Sequence, residues 1–213
     1  MKNYIQNLIE QGEHQQLDFK FEISDSRKIA RSLVAFANTE GGKLLVGVKD
    51  NGNIAGVRSD EEKYMVETAA RLYTSPPVKY SLKEWEINKK TVLEVDIPKS
   101  TLLPHSVLEE DDSSLVYIRV RDQNLLANSV LLKVWEAKKQ DRGVILKYSA
   151  HERFLLKYLE LAGTITLPAF CEMAKISQEH AESILVDFII LNIIEIIFTE
   201  KETFYRLKEG FNV

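Results

Sequence analysis

The chain has 213 residues, 45% of them hydrophobic and 28% charged, with a net charge of -4. That is enough sequence for one large domain or two modest ones; the composition is ordinary for a soluble globular protein, and the net charge excludes a global basic signature for nucleic acid. A single cysteine, Cys171, excludes an internal disulfide and a cysteine metal cluster. No apolar run is long enough to span a bilayer and Met1–Gln6 lacks the apolar stretch of a signal peptide, so a cytoplasmic location is expected.

Residues 3–12 predict a short helix with Ile5, Leu8 and Ile9 on one face. From Leu17 to Ile23 the pattern alternates. Leu17, Phe19, Phe21 and Ile23 face one way and Asp18, Lys20 and Glu22 the other, as in a half-buried strand. Ser24-Asp25-Ser26 offers N-caps for a helix to Asn38, and Gly41 or Gly42 suits its C-cap. Leu44–Val48 is continuously apolar and reads as a central strand. Asn51-Gly52 predicts a turn into Asn53–Val57. Ser59 and Glu62 form a capping box for a helix ending near Ser75, before Pro76-Pro77. Strands are expected at Val78–Ile87, Thr91–Ile97 and Leu115–Arg121, with Glu109–Asp112 in a solvated turn. A helix at Ser129–Lys139 closes a first domain of residues 1–140, and 141–147 form a linker.

Beyond it, helices at His151–Leu161, Leu167–Lys175 and Gln178–Leu191 precede strands at Glu195–Phe198 and Thr203–Leu207. Three helices and a β-wing make a winged helix-turn-helix over residues 148–213. An α+β protein with a mixed sheet flanked by helices, followed by this small module, is the expected architecture. Residues 1–147 hold 22 Lys+Arg against 22 Asp+Glu, and residues 148–213 hold 6 against 10, so the field favours the first domain for binding a polyanion.

Glu13, the Asp18-Phe19-Lys20 strand, Ala35-Phe36-Ala37-Asn38-Thr39-Glu40-Gly41-Gly42 and Gly47-Val48-Lys49-Asp50 together resemble a Schlafen-type AlbA-like domain. The resemblance covers about the first two thirds of the chain. It implies a mixed α+β fold, frequently followed by a winged helix in bacterial proteins labelled transcriptional regulators or ATP-binding proteins. In animal Schlafen proteins a related core resembles a metal-dependent RNA nuclease.

Glu13, Asp18 and Asp50 are three carboxylates at the ends of two apolar strands. Together they would suit Mg²⁺ or Mn²⁺ and metal-assisted phosphodiester hydrolysis. The resemblance also implies metal ligands there, although Asp18 stands where the family commonly has Glu. The alternative is structural: Glu13 caps, Asp18 pairs with Lys20 or solvent, and Asp50 serves the hairpin turn. Gly41-Gly42-Lys43 fails as a P-loop, because no Gly-Lys-Ser/Thr follows, and reads as a cap.

On Leu115–Arg121, Val116, Ile118 and Val120 are expected inward and Tyr117, Arg119 and Arg121 outward. With Lys20, and with Arg27, Lys28 and Arg31 extending the patch, they would hold phosphates and stack a base. The alternative is a solvated face paired with the Glu109–Asp112 run or with the Asp18/Glu22 row. The family commonly has glycine after this strand, where Arg121-Asp122 stands here.

In the winged module the helix after Ser177 carries Glu179, Glu182 and Asp187, and no Lys or Arg lies between Ile176 and Glu200. Gln178, His180 and Ser183 are of types that contact bases, but nothing nearby offsets the repulsion from the three acids, and only Lys201, Arg206 and Lys208 on the wing help. The apolar run from Phe188 to Ile197 exceeds one small core face and points to a homodimer or partner surface. His14 adjoins Glu13, whereas His105, Trp85, Trp135 and Cys171 read as structural. The expected function is nucleic-acid binding, DNA or RNA, by a transcriptional regulator acting mainly through the first domain. A divalent-metal-dependent endoribonuclease and an interaction or dimerisation module are the alternatives.

Overall fold

A computed structural model describes residues 3–140, 143 and 148–211, so the expected linker at 141–147 lies outside the described residues except for Gly143. The chain divides into two compact units, Met1–Ala127 and Asn128–Val213. No helix among the described residues is long and apolar enough to cross a membrane.

The first unit opens with α1 (Tyr4–Gln11), whose N-cap Asn3 and Gln6 exchange hydrogen bonds in a capping box. Strand β1 (Leu17–Lys20) leads through α2 (Ser26–Asn38) into β2 (Gly42–Val46). The two strands are parallel, Asp18 opposite Leu44 and Lys20 opposite Val46, as a helical crossover permits. After α3 (Glu61–Leu72) and β3 (Thr74–Ser75) come β4 (Ser81–Ile87) and β5 (Lys90–Ile97), which complete a four-stranded sheet of order β1-β2-β5-β4. Helices α2 and α3 cover one face through Ile29, Leu33, Phe36, Val66 and Ala69 against Leu44, Val46, Leu93 and Val95. The other face buries Leu17, Phe19, Leu45 and Val92 under Ile5 of α1. Small strands β6 (Ser106–Leu108) and β7 (Ser114–Leu115) extend β3, and β8 (Tyr117–Val120) pairs with β9 (Gln123–Leu126).

The Ala-Phe-Ala-Asn-Thr-Glu-Gly-Gly segment is a joint. Asn38 Nδ2 donates to the carbonyls of His105 and Tyr117, each at 2.9 Å, and its Oδ1 accepts the His105 N–H at 2.8 Å. Thr39 Oγ1 accepts the Arg119 N–H at 2.9 Å. Gly41, at φ +74°, donates its N–H to Phe36 O and lies where a Cβ would come 2.7 Å from Ile97 O. At Gly42 a Cβ would meet the Phe36 ring at 2.4 Å, so helix and strand fit only around a bare backbone.

The second unit begins with α4 (Ser129–Lys139) and continues through α5 (Ala150–Ala162), β10 (Thr164–Ile165), α6 (Leu167–Ala174), α7 (Gln178–Ile190), β11 (Ile194–Phe198) and β12 (Thr203–Leu207). The last strands form a hairpin, and β10 pairs with β12. Helix α4, expected to close the first domain, buries Val130 and Val134 in the second unit's core beside Leu155, Phe170, Ile184 and Tyr205. With the division after Ala127, the first unit holds 17 Lys+Arg against 20 Asp+Glu and the second 11 against 12. Overall charge therefore does not favour the first unit, contrary to expectation.

Two further readings of the second unit change. Glu182, expected among surface acids on α7, is buried and accepts Ser129 Oγ at 2.6 Å, Lys133 Nζ at 2.6 Å and Gln178 Nε2 at 2.8 Å. Burial opposes its ionisation, but these three donors bring its pKa down to about 2. Most of the apolar run after Phe188 packs within the unit: Phe188, Ile193 and Ile194 are core, and Ile189, Ile190 and Ile196 pack against them, while Leu191 stays 36% exposed.

Candidate nucleic-acid interface

The residues expected on one exposed cationic strand take three different positions. Arg119 is buried, 2% exposed, because α2 covers the sheet face that the alternation of β1 assigns to solvent. Its guanidinium sits 3.4 Å from Asp18 Oδ1, donates to Asn124 Oδ1 at 3.0 Å and Leu17 O at 3.2 Å, and lies over the Phe36 ring. Arg119 is therefore a core counter-ion and not a surface phosphate ligand. Tyr117 is half-buried and its hydroxyl donates to Glu109 Oε1 at 3.2 Å. Arg121 is exposed, and its N–H donates to Gln15 Oε1 at 2.7 Å.

The acids do not assemble as expected either. Asp18, 3% exposed, receives Lys20 Nζ at 3.0 Å and Ser32 Oγ at 3.3 Å besides Arg119. Glu13 joins it through a side-chain hydrogen bond and accepts the Phe19 N–H at 2.8 Å. Burial and Asp18 push Glu13 up to about 7 against the pull of that N–H. Burial also opposes ionisation of Asp18, but Glu13, Lys20 and Arg119 hold its carboxyl below the ordinary range. Asp50 is exposed in the turn after β2, beyond the strand position that Asp18 faces.

Among the described residues no three His, Cys, Asp or Glu stand together to hold a metal ion. Glu13 and Asp18 remain as a pair, and Lys20 and Arg119 already fill the space round Asp18 with positive charge. This set does not fit the three-carboxylate Mg²⁺ or Mn²⁺ centre expected from the sequence.

A different cluster forms where β1 and β2 end. Lys20 O accepts the N–H groups of Gly47 and Val48 at 2.8 and 3.2 Å, and the chain then leaves the sheet at Phe21. Phe21, expected inward, is 37% exposed. Gly47, at φ +93°, lets Gly56 approach so closely that a Cβ would stand 2.9 Å from its carbonyl carbon. Ala55 and Gly56 donate to Gly47 O at 2.8 and 2.9 Å, which brings the segment bearing Arg58 alongside Lys49. Lys49 Nζ lies 5.2 Å and Arg58 Cζ 5.7 Å from the Phe21 ring centroid, within cation–π range. Arg58 also contacts Glu22 at 3.6 Å. Sequence reasoning missed Lys49 and Arg58, since neither position is marked by periodicity. Only the end of β1 before the Ser24-Asp25-Ser26 cap cluster could have flagged Phe21.

His14 has a backbone role: its N–H donates to Leu17 O in the tight turn that leads into β1, and its carbonyl lies 3.4 Å from Arg119 Nη2. His105 is buried, with its ring nitrogens 2.7 Å from Pro76 O and Ser100 Oγ, a structural position.

Among curated proteins none matches the chain. Two solved structures are similar at 18% identity. The DIP2311 protein from Corynebacterium diphtheriae matches over 71% of this chain and 36% of its own, with a TM-score of 0.45, so this chain spans little more than a third of its length. The N-terminal domain of a RecG-related protein from Nitrosomonas europaea matches over 70% of this chain and 99% of its own, with a TM-score of 0.41. The sequence model described as Schlafen, AlbA_2 matches residues 13–128, more than half of the chain, and the chain belongs to that family.

Proposed function

We propose that this protein binds single-stranded nucleic acid, RNA or DNA, through its first unit, and that it serves as a regulator rather than a nuclease. The observation that carries this reading is the exposed Phe21 ring with Lys49 and Arg58 directed onto it. An exposed aromatic stacks a base whatever its identity, and flanking cations take the neighbouring phosphates. The unit carries no excess of positive charge, so binding rests on this local cluster. Exposed Asp50 next to Lys49, and Glu22 beside Arg58, keep the affinity modest.

In this reading the second unit is a winged helix: its order of helix, strand, two helices and hairpin matches that motif. With Glu182 buried, α7 exposes Gln178, Glu179, His180 and Ser183, and the hairpin adds Lys201. This unit is accessory to the first. Fluorescence anisotropy with a labelled single-stranded oligonucleotide tests the function. Phe21→Ala should weaken binding about tenfold or more, as loss of one stacked base does. Unchanged binding in Phe21→Ala and in Lys49→Gln/Arg58→Gln overturns the assignment.

A further inference from the structure

Arg27 and Arg31, one turn apart on α2, form a second cationic site whose charge is already occupied. Arg31 meets Glu109 in a bidentate pair, Nε to Oε1 at 3.0 Å and Nη2 to Oε2 at 2.7 Å. Arg27 Nη1 reaches Glu110 Oε1 at 3.2 Å. Each guanidinium is backed by an aromatic ring, with Arg27 4.6 Å from Tyr73 and Arg31 5.8 Å from Tyr117. The Tyr117 hydroxyl adds a third donor to Glu109. Arg27 Nε is buried and has no hydrogen-bond partner. The two arginines and the two glutamates line a cleft of about 480 Å³ together with Asp25, Asp111 and Ser113.

Planar guanidiniums on aromatic platforms, with a hydroxyl donor beside them, bind a phosphate as they bind a carboxylate. The acids come from the tip between β6 and β7. That tip closes on itself: Glu109 N–H donates to Ser113 O at 2.9 Å and Asp112 N–H to Glu109 O at 3.3 Å. Glu110 is 82% exposed at its side chain, whereas Glu109 is 11% exposed. The tip can therefore swap its ion pairs for those of another anion while keeping its own backbone bonds.

We propose that Arg27 and Arg31 are a seat for nucleic-acid phosphodiesters, and that Glu109 and Glu110 occupy it as an internal phosphate mimic. The inference rests on the nucleic-acid reading above and adds to it a latch: a strand that displaces the acidic tip gains two phosphate contacts beyond the Phe21 cluster.

The test is anisotropy of a fluorescein-labelled single-stranded oligonucleotide of about 20 nucleotides across a salt series, long enough to contact two sites. Glu109→Gln/Glu110→Gln should bind about tenfold more tightly than wild type. Its log K against log salt should steepen by about 1.4, the increment for two phosphates on a single strand. Glu61→Gln/Glu86→Gln, equal in charge change at exposed positions, should not reproduce the gain. Adding Arg27→Gln/Arg31→Gln should abolish it.

If wild type binds in a Phe21-dependent way but the loop variant is no tighter than its charge-matched control, the latch is wrong and the binding function stands. A gain that survives removal of both arginines also overturns the latch. If neither wild type nor the loop variant binds, both proposals fall. Should the double loop variant melt before the measurement, Glu110→Gln alone carries the test, with a smaller gain expected and no gain overturning the latch.

Discussion

Arg119 and Asp18 form an ion pair in which neither side chain reaches solvent, at 2% and 3% exposure. Arg119→Met removes the charge and leaves Asp18 with Lys20, Ser32 and Glu13. Breaking a buried pair from one side costs about 3–5 kcal/mol, so this variant should lose that much in urea unfolding. Arg121→Gln, at an exposed position, should change stability by less than about 0.5 kcal/mol.

Since Lys20 and Arg119 satisfy Asp18, divalent cations should leave the fold indifferent. A ligand present at 100 times its dissociation constant adds about 2.7 kcal/mol to stability. Adding about 1 mM Mn²⁺, or removing metals with chelator, is therefore expected to leave the melting temperature unchanged. A rise that disappears in Glu13→Gln would reveal a metal site at the acid pair.

Glu13 supplies a pH signature. Its folded pKa of about 7 lies above the usual 4.5, so the folded chain binds this proton more tightly than the unfolded chain does. The stabilisation is complete below pH 4.5 and is lost as pH rises through 7. Allowing for solvent screening of a half-buried group, about 1 kcal/mol should disappear between pH 5 and 8. Thermal melts should show this loss in wild type and not in Glu13→Gln.

Glu182 behaves in the opposite sense. Its folded pKa of about 2 lies below the usual 4.5, so its stabilisation is present above pH 4.5 and is lost as pH falls toward 2. Glu182→Gln should destabilise the protein by about 2 kcal/mol at pH 7, where it loses charge-assisted bonds to Lys133 and Ser129. The gap between variant and wild type should narrow in unfolding titrations carried down to pH 2.5.

Asn38 holds three backbone groups, two carbonyls and one N–H, the two on His105 buried. Asn38→Ala strands all of them and should cost about 3 kcal/mol or more in chemical denaturation. Asn38→Asp keeps an acceptor for the His105 N–H but sets lone pairs against two carbonyls, so it should not restore stability.

These relationships were legible in the sequence to different degrees. Helices α1 and α2 and strand β2 follow from periodicity and caps, because their burial is set by neighbours close in the chain. The alternation of β1 gave the right strand and the wrong surroundings. Asp18 reads as solvated only if one sheet face is open, and α2 and the β8–β9 ribbon close it. Arg119 was misplaced for the same reason: a guanidinium facing away from Ile118 looks exposed until a buried carboxylate waits for it 101 residues earlier in the chain. The Phe21, Lys49 and Arg58 cluster joins three segments through the Gly47–Gly56 approach, a contact that leaves no local pattern. On α7, spacing cannot distinguish Glu179 in solvent from Glu182 beneath Lys133. The pairing of Arg27 and Arg31 with Glu109 and Glu110, by contrast, was anticipated as the alternative to an open basic patch.

The packing of α4 decides where the polypeptide can be cut. A fragment ending at residue 140 would carry Val130 and Val134 on a helix stripped of the core that shelters them, a sticky handle inviting self-association. One ending at Ala127 keeps the family-matched fold and leaves the amphipathic segment with its own companions.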